Sequence, residues 1–214
     1  MKRKVKAVSK KCEADNGAGS EKLQKDPMKH FRSWFKVAKN SDQHEPEAMA
    51  LATADENGRP SVRMVLFREV SRDGLCFFTN FESRKALHLS SNPYASLLFY
   101  WPELYRQVRV EGKIKKASAK LSDDYFNTRP LGSRISACIS PQSSVIPDRL
   151  FLEAMHESFS KDLGHEAPKR PWNWGGYILV PDRFEFWTGR ENRLHDRIQY
   201  LKGRSGWIIE RLAP

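Results

Sequence analysis

Residues 48–80, AMALATADENGRPSVRMVLFREVSRDGLCFFTN, decide the fold class. Strand-type patterns of apolar and β-branched side chains run over 48–54, 61–70 and 75–80. Glu56-Asn57-Gly58 and Asp73-Gly74 separate them, and Asn-Gly and Asp-Gly pairs suit tight hairpin turns because both tolerate positive φ. The stretch is predicted to be an antiparallel meander.

Upstream, the period changes. Asp26 is placed to cap a helix, Pro27 suits its first position, and Phe31, Trp34, Phe35 and Val37 supply its apolar stripe. Downstream, a short helix begins near Ser83 and is stopped by Asn92-Pro93. Strands over 95–101 and 105–115 follow, joined at Pro102-Glu103. Helical patterns cover 118–128, ended by Pro130, and 148–163, where Leu150, Leu152, Met155 and Phe159 form an apolar face. Strands resume over 177–180, 183–188, 197–201 and 207–212, with turns at Pro181-Asp182 and 203–206. About eight antiparallel strands with peripheral helices make the chain mainly β, an α+β protein, and favour a closed or nearly closed barrel that leaves few edges exposed.

Composition sets the outer limits. The 214 residues are 39% hydrophobic and 11% aromatic, enough for one ordered core, and no apolar run approaches the roughly 20 residues of a membrane helix. Cys12, Cys76 and Cys138 are widely spaced, which suggests neither a disulfide framework nor zinc, and a cytoplasmic location is expected. Of the +11 net charge, residues 1–12 contribute six basic side chains and no acidic one, so the remainder carries +5. Residues 1–25 are expected to form a disordered basic tail, and 26–214 a single domain. A nucleic-acid role is therefore confined to that tail.

Gly-rich phosphate loops, Gly-x-Ser-x-Gly elbows and His-Glu-x-x-His motifs are missing from the sequence, and no metal site is expected. His30, His44, His88, His156 and His165 lack ligand spacing and are assigned ordinary surface or helix roles. What stands out is the density of Arg, Ser and Gln near strand ends and turns, a composition suited to anionic ligands. Singly these segments are ambiguous: Arg63, Val65 and Phe67 could be one half-buried strand, and Arg84-Lys85 a solvated helix start.

Their order is more specific. Arg63-Met64-Val65-Leu66, the run from Phe77 to Lys85 (FFTNFESRK), Phe99-Tyr100-Trp101, Arg106-Gln107-Val108-Arg109-Val110-Glu111-Gly112, Gln142-Ser143-Ser144-Val145-Ile146-Pro147, Trp174-Gly175-Gly176-Tyr177, Asn192-Arg193-Leu194-His195-Asp196-Arg197 and the terminal Glu210-Arg211-Leu212-Ala213-Pro214 together resemble the signature set of the pyridoxine-5′-phosphate oxidase family. The resemblance covers 26–214. It implies a split β-barrel binding flavin mononucleotide (FMN), and a homodimer with two active sites at the subunit interface.

For FMN the resemblance implies contacts from Arg63, Met64, Val65, Leu66, Phe78, Thr79, Arg84, Lys85, Gln107, Gln142, Ser143, Trp187 and Arg197. For the substrate phosphate it implies Arg68, Tyr125, Arg129 and Ser133. Arg193 and His195, with Leu194 between them, match the residues that close over the pyridine ring and assist the chemistry. Alternation along a strand would put Arg193 and His195 on one side. The implied reaction is oxidation of pyridoxine 5′-phosphate and pyridoxamine 5′-phosphate to pyridoxal 5′-phosphate, with O2 as acceptor and H2O2 as product. Two features depart from the family: Arg68 stands where a lysine is usual, and residues 1–25 lack the Arg-x-x-Tyr segment that folds over the site, so closure there is expected to differ or be absent. A flavin- or pyridoxal-phosphate-binding module without turnover is the alternative reading.

Overall fold

The computed structural model describes residues 23–214 apart from 72 and 165. The expected tail disorder, in so far as it concerns residues 1–22, and the assignment of His165 lie outside the described residues.

Helix α1 (Pro27–Lys39) starts where capping chemistry puts it: the Asp26 carboxylate accepts the Met28 N–H at 2.9 Å, and Pro27 needs no N–H there. Its buried side contains Phe31 and Trp34 as expected, but Val37 is exposed. The three-to-four-residue period from Pro27 through His30, Phe31, Trp34 and Ala38 leaves Val37 off the stripe.

Among the described residues nine antiparallel strands form one sheet, in keeping with the expectation of about eight. β1 (Ala48–Ala54) and β2 (Pro60–Leu66) form a hairpin whose turn holds Gly58 at φ +77°. The expected strand over 61–70 is broken into β2 and β3 (Glu69–Val70), because Phe67 and Arg68 turn from one partner to the other: the Phe67 N–H reaches Glu47 O at 2.9 Å and the Arg68 N–H reaches Cys76 O at 3.0 Å. β4 (Leu75–Asn80), α2 (Arg84–Ser91), β5 (Tyr94–Trp101) and β6 (Arg106–Lys116) follow. Pairing runs β2-β1-β5-β6-β7-β4-β3, so the covalent step from β2 to β3 closes a ring. Met49, Leu51, Phe77, Leu97, Phe99, Val108, Val110 and Phe184 are buried in its core.

The second half corrects two expectations. Residues 177–180 and 183–188 belong to one strand, β7 (Trp174–Thr188), and Pro181-Asp182 is a bulge opposite Glu111 and Gly112, where a proline is tolerated because the ladder is already interrupted. The fork of the barrel lies there. One edge of β7 pairs with β6 over most of its length, whereas the other pairs with β4 over 174–179 and with β8 (Asp196–Gly203) over 183–188. Among the described residues β9 (Gly206–Arg211) pairs only with β8. The register also makes Gly112 obligatory, since a Cβ there would lie 2.1 Å from Val180 O. Gly112→Ala is expected to cost about 2–3 kcal/mol and lower Tm by roughly 5–10 °C in a thermal melt.

The helices are α3 (Ala119–Thr128), α4 (Leu131–Ile139) and α5 (Arg149–Leu163). α4 was not expected. Pro130 at its N-cap and Gly132 in its first turn look like breakers locally, yet Ile135 buries and holds the turn. α5 buries no residue, so the apolar face of Leu150, Leu152, Met155 and Phe159 does not enter the core. Among the described residues, no helix is long and apolar enough to cross a membrane.

Candidate functional site

A cavity of about 580 Å³ opens where β2, β4, α2 and α3 meet. Arg63, Met64, Val65 and Leu66 come from β2, Phe78 and Thr79 from the end of β4, and Arg84 and Lys85 from the first turn of α2. Arg68 lies in the β2–β3 link, Tyr125 on α3, Arg129 at its C-cap, and Gln142 and Ser143 in the loop after α4. Thirteen residues named from sequence thus share one wall system. Among the described residues, five cations and no carboxylate line it.

Two of the cations, Arg63 and Lys85, are held by neutral partners. Arg63 donates through Nη1 to Leu51 O at 3.0 Å and Thr53 Oγ1 at 2.8 Å, and through Nη2 to Ser61 Oγ at 2.8 Å. Lys85 Nζ donates to Gln142 Oε1 at 2.8 Å, Thr79 Oγ1 at 3.0 Å and Ser83 Oγ at 3.2 Å. Burial first and the Arg63 guanidinium second push the Lys85 ammonium down to about 8. Burial, then Arg84, lowers Arg63 as well. Arg129 is lowered chiefly by burial, and its Nη1 is buried with no hydrogen-bond partner among the described residues. Like charges gathered in this way favour an anion between them.

Aromatic rings floor the same space. Phe78 stacks on Tyr125 with centroids 4.0 Å apart and on Trp174 at 5.5 Å. The Arg68 guanidinium lies 5.7 Å from the Tyr125 centroid and that of Arg129 4.7 Å from Trp174. Planar ring and phosphate both find counterparts here.

The remaining residues form a second constellation. Gln107 faces Trp187 across β6 and β7, and Trp187 faces Arg197 across β7 and β8. The His195 and Trp187 ring centroids are 4.8 Å apart. Arg197 donates through Nε to Glu185 Oε1 and through Nη1 to Ala213 O, both at 2.8 Å, and Glu185, only 3% exposed, also takes Arg109. Leu194 and His195, with Asp196 and residues 211–214, line a separate cavity of about 430 Å³. Within one chain, then, Arg63 and Arg84 gather as expected, while Arg197 does not line their cavity. Ser133, in the first turn of α4, lines neither.

Arg193 and His195 do not alternate along a strand, contrary to expectation. Arg193 ends a 3-10 turn (Glu191–Arg193) and has φ +60°, after Asn192 at φ +54°, and β8 begins only at Asp196. Two successive non-glycine residues in the left-handed region store strain at this edge. The Arg190 N–H donates to His195 Nδ1 at 3.1 Å, which leaves the ring proton of the neutral histidine on Nε2.

Sequence reasoning missed Ser61, Val62 and Trp174 as lining residues. Trp174 is visible in the sequence as part of Trp-Gly-Gly-Tyr, one of the family-like motifs; Ser61 gives no local signal. His30 and His88, assigned ordinary helix roles, are both on helices and both buried.

A family model described as pyridoxamine 5′-phosphate oxidase matches residues 38–160, and one described as the pyridoxine 5′-phosphate oxidase C-terminal dimerisation region matches 174–214. The chain is 54% identical over 189 residues to a pyridoxine/pyridoxamine 5′-phosphate oxidase of Paraburkholderia phymatum, covering 88% of this chain and 89% of the relative. It is 46% identical over 194 residues to the protein of the same name from Legionella pneumophila strain Paris, covering 91% and 90%. Among solved structures, it resembles PhzG from Burkholderia lata in complex with tetrahydrophenazine-1-carboxylic acid, with a TM-score of 0.86 and 31% identity over 91% of this chain and 95% of that one. An FMN-binding protein of Nostoc punctiforme, related to pyridoxamine 5′-phosphate oxidase, shares the fold at a TM-score of 0.71 and 20% identity, covering 91% and 100%.

Proposed function

The chain belongs to the pyridoxamine 5′-phosphate oxidase family, and on that premise we propose that it converts pyridoxine 5′-phosphate and pyridoxamine 5′-phosphate to pyridoxal 5′-phosphate with FMN as cofactor. The observation that carries this reading is the cavity with five cations, no carboxylate and a ring stack among its described residues. Two phosphate dianions, one on FMN and one on the substrate, would nearly balance that charge, and the depressed Lys85 and the unpartnered Arg129 Nη1 are the groups that would gain most.

In this reading Arg63, Arg84 and Lys85, with Thr79, Gln142 and Ser143, hold the FMN phosphate and ribityl chain, and Met64, Val65, Leu66 and Phe78 meet its ring. Arg68, Arg129 and Tyr125 fix the substrate phosphate. FMN, when bound, supplies the redox chemistry at the substrate C4′ carbon, with O2 as the final acceptor and H2O2 as product. The protein's own work is orientation and charge. The match of 174–214 to a dimerisation region supports a homodimer in which the second constellation, with Gln107, Trp187, Arg193, Leu194, His195 and Arg197, faces the first cavity of the partner. His195 would then hold or release a proton at Nε2, since Nδ1 is engaged by the Arg190 N–H. Residues 26–214 act as one domain in this reading, and the free thiols Cys76 and Cys138 suit the cytosol.

The test is to load the protein with FMN and follow aldehyde and peroxide from both phosphorylated vitamers, with unphosphorylated pyridoxine and tetrahydrophenazine-1-carboxylic acid as controls. Turnover confined to the phosphorylated vitamers is expected. A yellow protein without peroxide would favour the non-catalytic alternative, and preferential turnover of the phenazine would overturn the substrate assignment. FMN affinity should also fall as pH rises through about 8, because the ammonium form of Lys85 meets the phosphate and the free protein loses that proton there. Fluorescence titrations on either side of that pH should show the fall, and Lys85→Met should flatten it.

A further inference from the structure

Two elements supply the cations assigned to the cofactor phosphate: β2 gives Arg63, and α2 gives Arg84 and Lys85. Nothing in a β-hairpin and a two-turn helix fixes their mutual register, so something between them must. Thr53, on β1 and only 4% exposed, is in the right location. It pairs with Ser61 of β2, its Oγ1 accepts the Arg63 Nη1–H at 2.8 Å, and it lies 3.3 Å from His88 Nδ1. His88, 7% exposed, is four residues after Arg84 and three after Lys85, on the same side of α2.

The hydrogens can be counted. A guanidinium only donates, so Thr53 Oγ1 accepts from Arg63, and its hydrogen or its second lone pair serves the contact with His88 Nδ1. In either direction the chain Arg63 Nη1–H, Thr53 Oγ1, His88 Nδ1 links β2 to α2 through β1.

We infer that Thr53 and His88 are positioning residues that hold the β2 and α2 cations in register for the FMN phosphate, an inference that rests on the FMN reading above. Neither is assigned contact with the cofactor or the substrate. They act through Arg63 and through the seating of α2, and the substrate-phosphate pair Arg68 and Arg129 is outside their reach.

Thr53→Val keeps shape and removes the hydroxyl, whereas Thr53→Ser keeps the hydroxyl. The FMN Kd, read by fluorescence quenching, should rise roughly 10- to 50-fold in Thr53→Val and stay within about threefold in Thr53→Ser. His88→Leu should behave like the valine variant, and His88→Asn, whose side-chain amide can both accept and donate in place of Nδ1, should be intermediate. At saturating FMN, KM for pyridoxine 5′-phosphate should stay within about twofold in all four. FMN binding by Thr53→Val as tight as that of the unsubstituted protein would overturn the inference, as would equal losses in the serine and valine variants or a parallel rise in substrate KM. Absence of FMN binding by the unsubstituted protein would be a different result: it would remove the proposed function, and this inference with it.

Discussion

Replacing Arg129 by methionine is expected to lower kcat/KM for pyridoxine 5′-phosphate by roughly 10²- to 10³-fold, nearly all of it in KM, with FMN affinity unchanged. Arg129 closes α3 as its C-cap, and its guanidinium lies over Trp174 and, at 5.9 Å, beside Phe126. Stacking fixes the plane of the fork without consuming its N–H groups, and Nη1 is buried with no partner among the described residues. A phosphate arriving there gains charge-assisted hydrogen bonds from a group already oriented and partly desolvated, an arrangement worth about 3–4 kcal/mol when one partner is removed. Methionine retains the stem packing on Trp174, so the loss isolates the charged fork. Arg129→Lys keeps the charge but loses the planar pair of donors, and about a tenfold loss is expected. Steady-state kinetics at saturating FMN decide the matter: equal loss of flavin from Arg129→Met would show that the cavity is not divided between two phosphates as proposed.

How far the sequence revealed this arrangement depends on the range of the interaction involved. β1 and β4 begin and end where the pattern and turns put them, and Asp26, Ser118 and Asp148 cap their helices through side-chain bonds no more than three residues away. Pro181-Asp182 looked like a turn because its neighbours in sequence say so, but it is a bulge because Glu111 and Gly112, some seventy residues earlier, lie opposite. α4 was hidden for the opposite reason: its local signals oppose a helix, and the burial of Ile135 belongs to the tertiary structure. At the site, the family-like order of motifs named the cations that line the larger cavity, since Arg63, Arg68, Arg84, Lys85 and Arg129 all converge there. It could not tell that Gln107, Trp187, His195 and Arg197 occupy a different part of the same chain, because order along a sequence carries no information on which copy of the chain completes a site.

A mixed dimer exposes that division. Arg63→Met removes a cation from the first cavity, and Arg197→Met removes one from the second constellation, so each homodimer is expected to lose FMN binding and activity to background. A heterodimer purified through two different tags should recover about half the activity of the unsubstituted dimer. On the proposed reading, two-fold symmetry would give each site its first cavity from one subunit and its second constellation from the other, so one site of the heterodimer would collect both lesions and the other none. Trp187, Arg193, Leu194, His195 and Arg197 all lie within 174–214, the segment that matches the dimerisation region, and none of them lines the Arg63 cavity of its own chain. Arg197 is also anchored at both ends of its fork, by Glu185 and by Ala213 O, so it cannot swing far toward Arg63 without leaving the Glu185 carboxylate short of a partner. A site completed within one subunit predicts the contrary result, since every chain in the heterodimer carries one lesion and recovery would be nil.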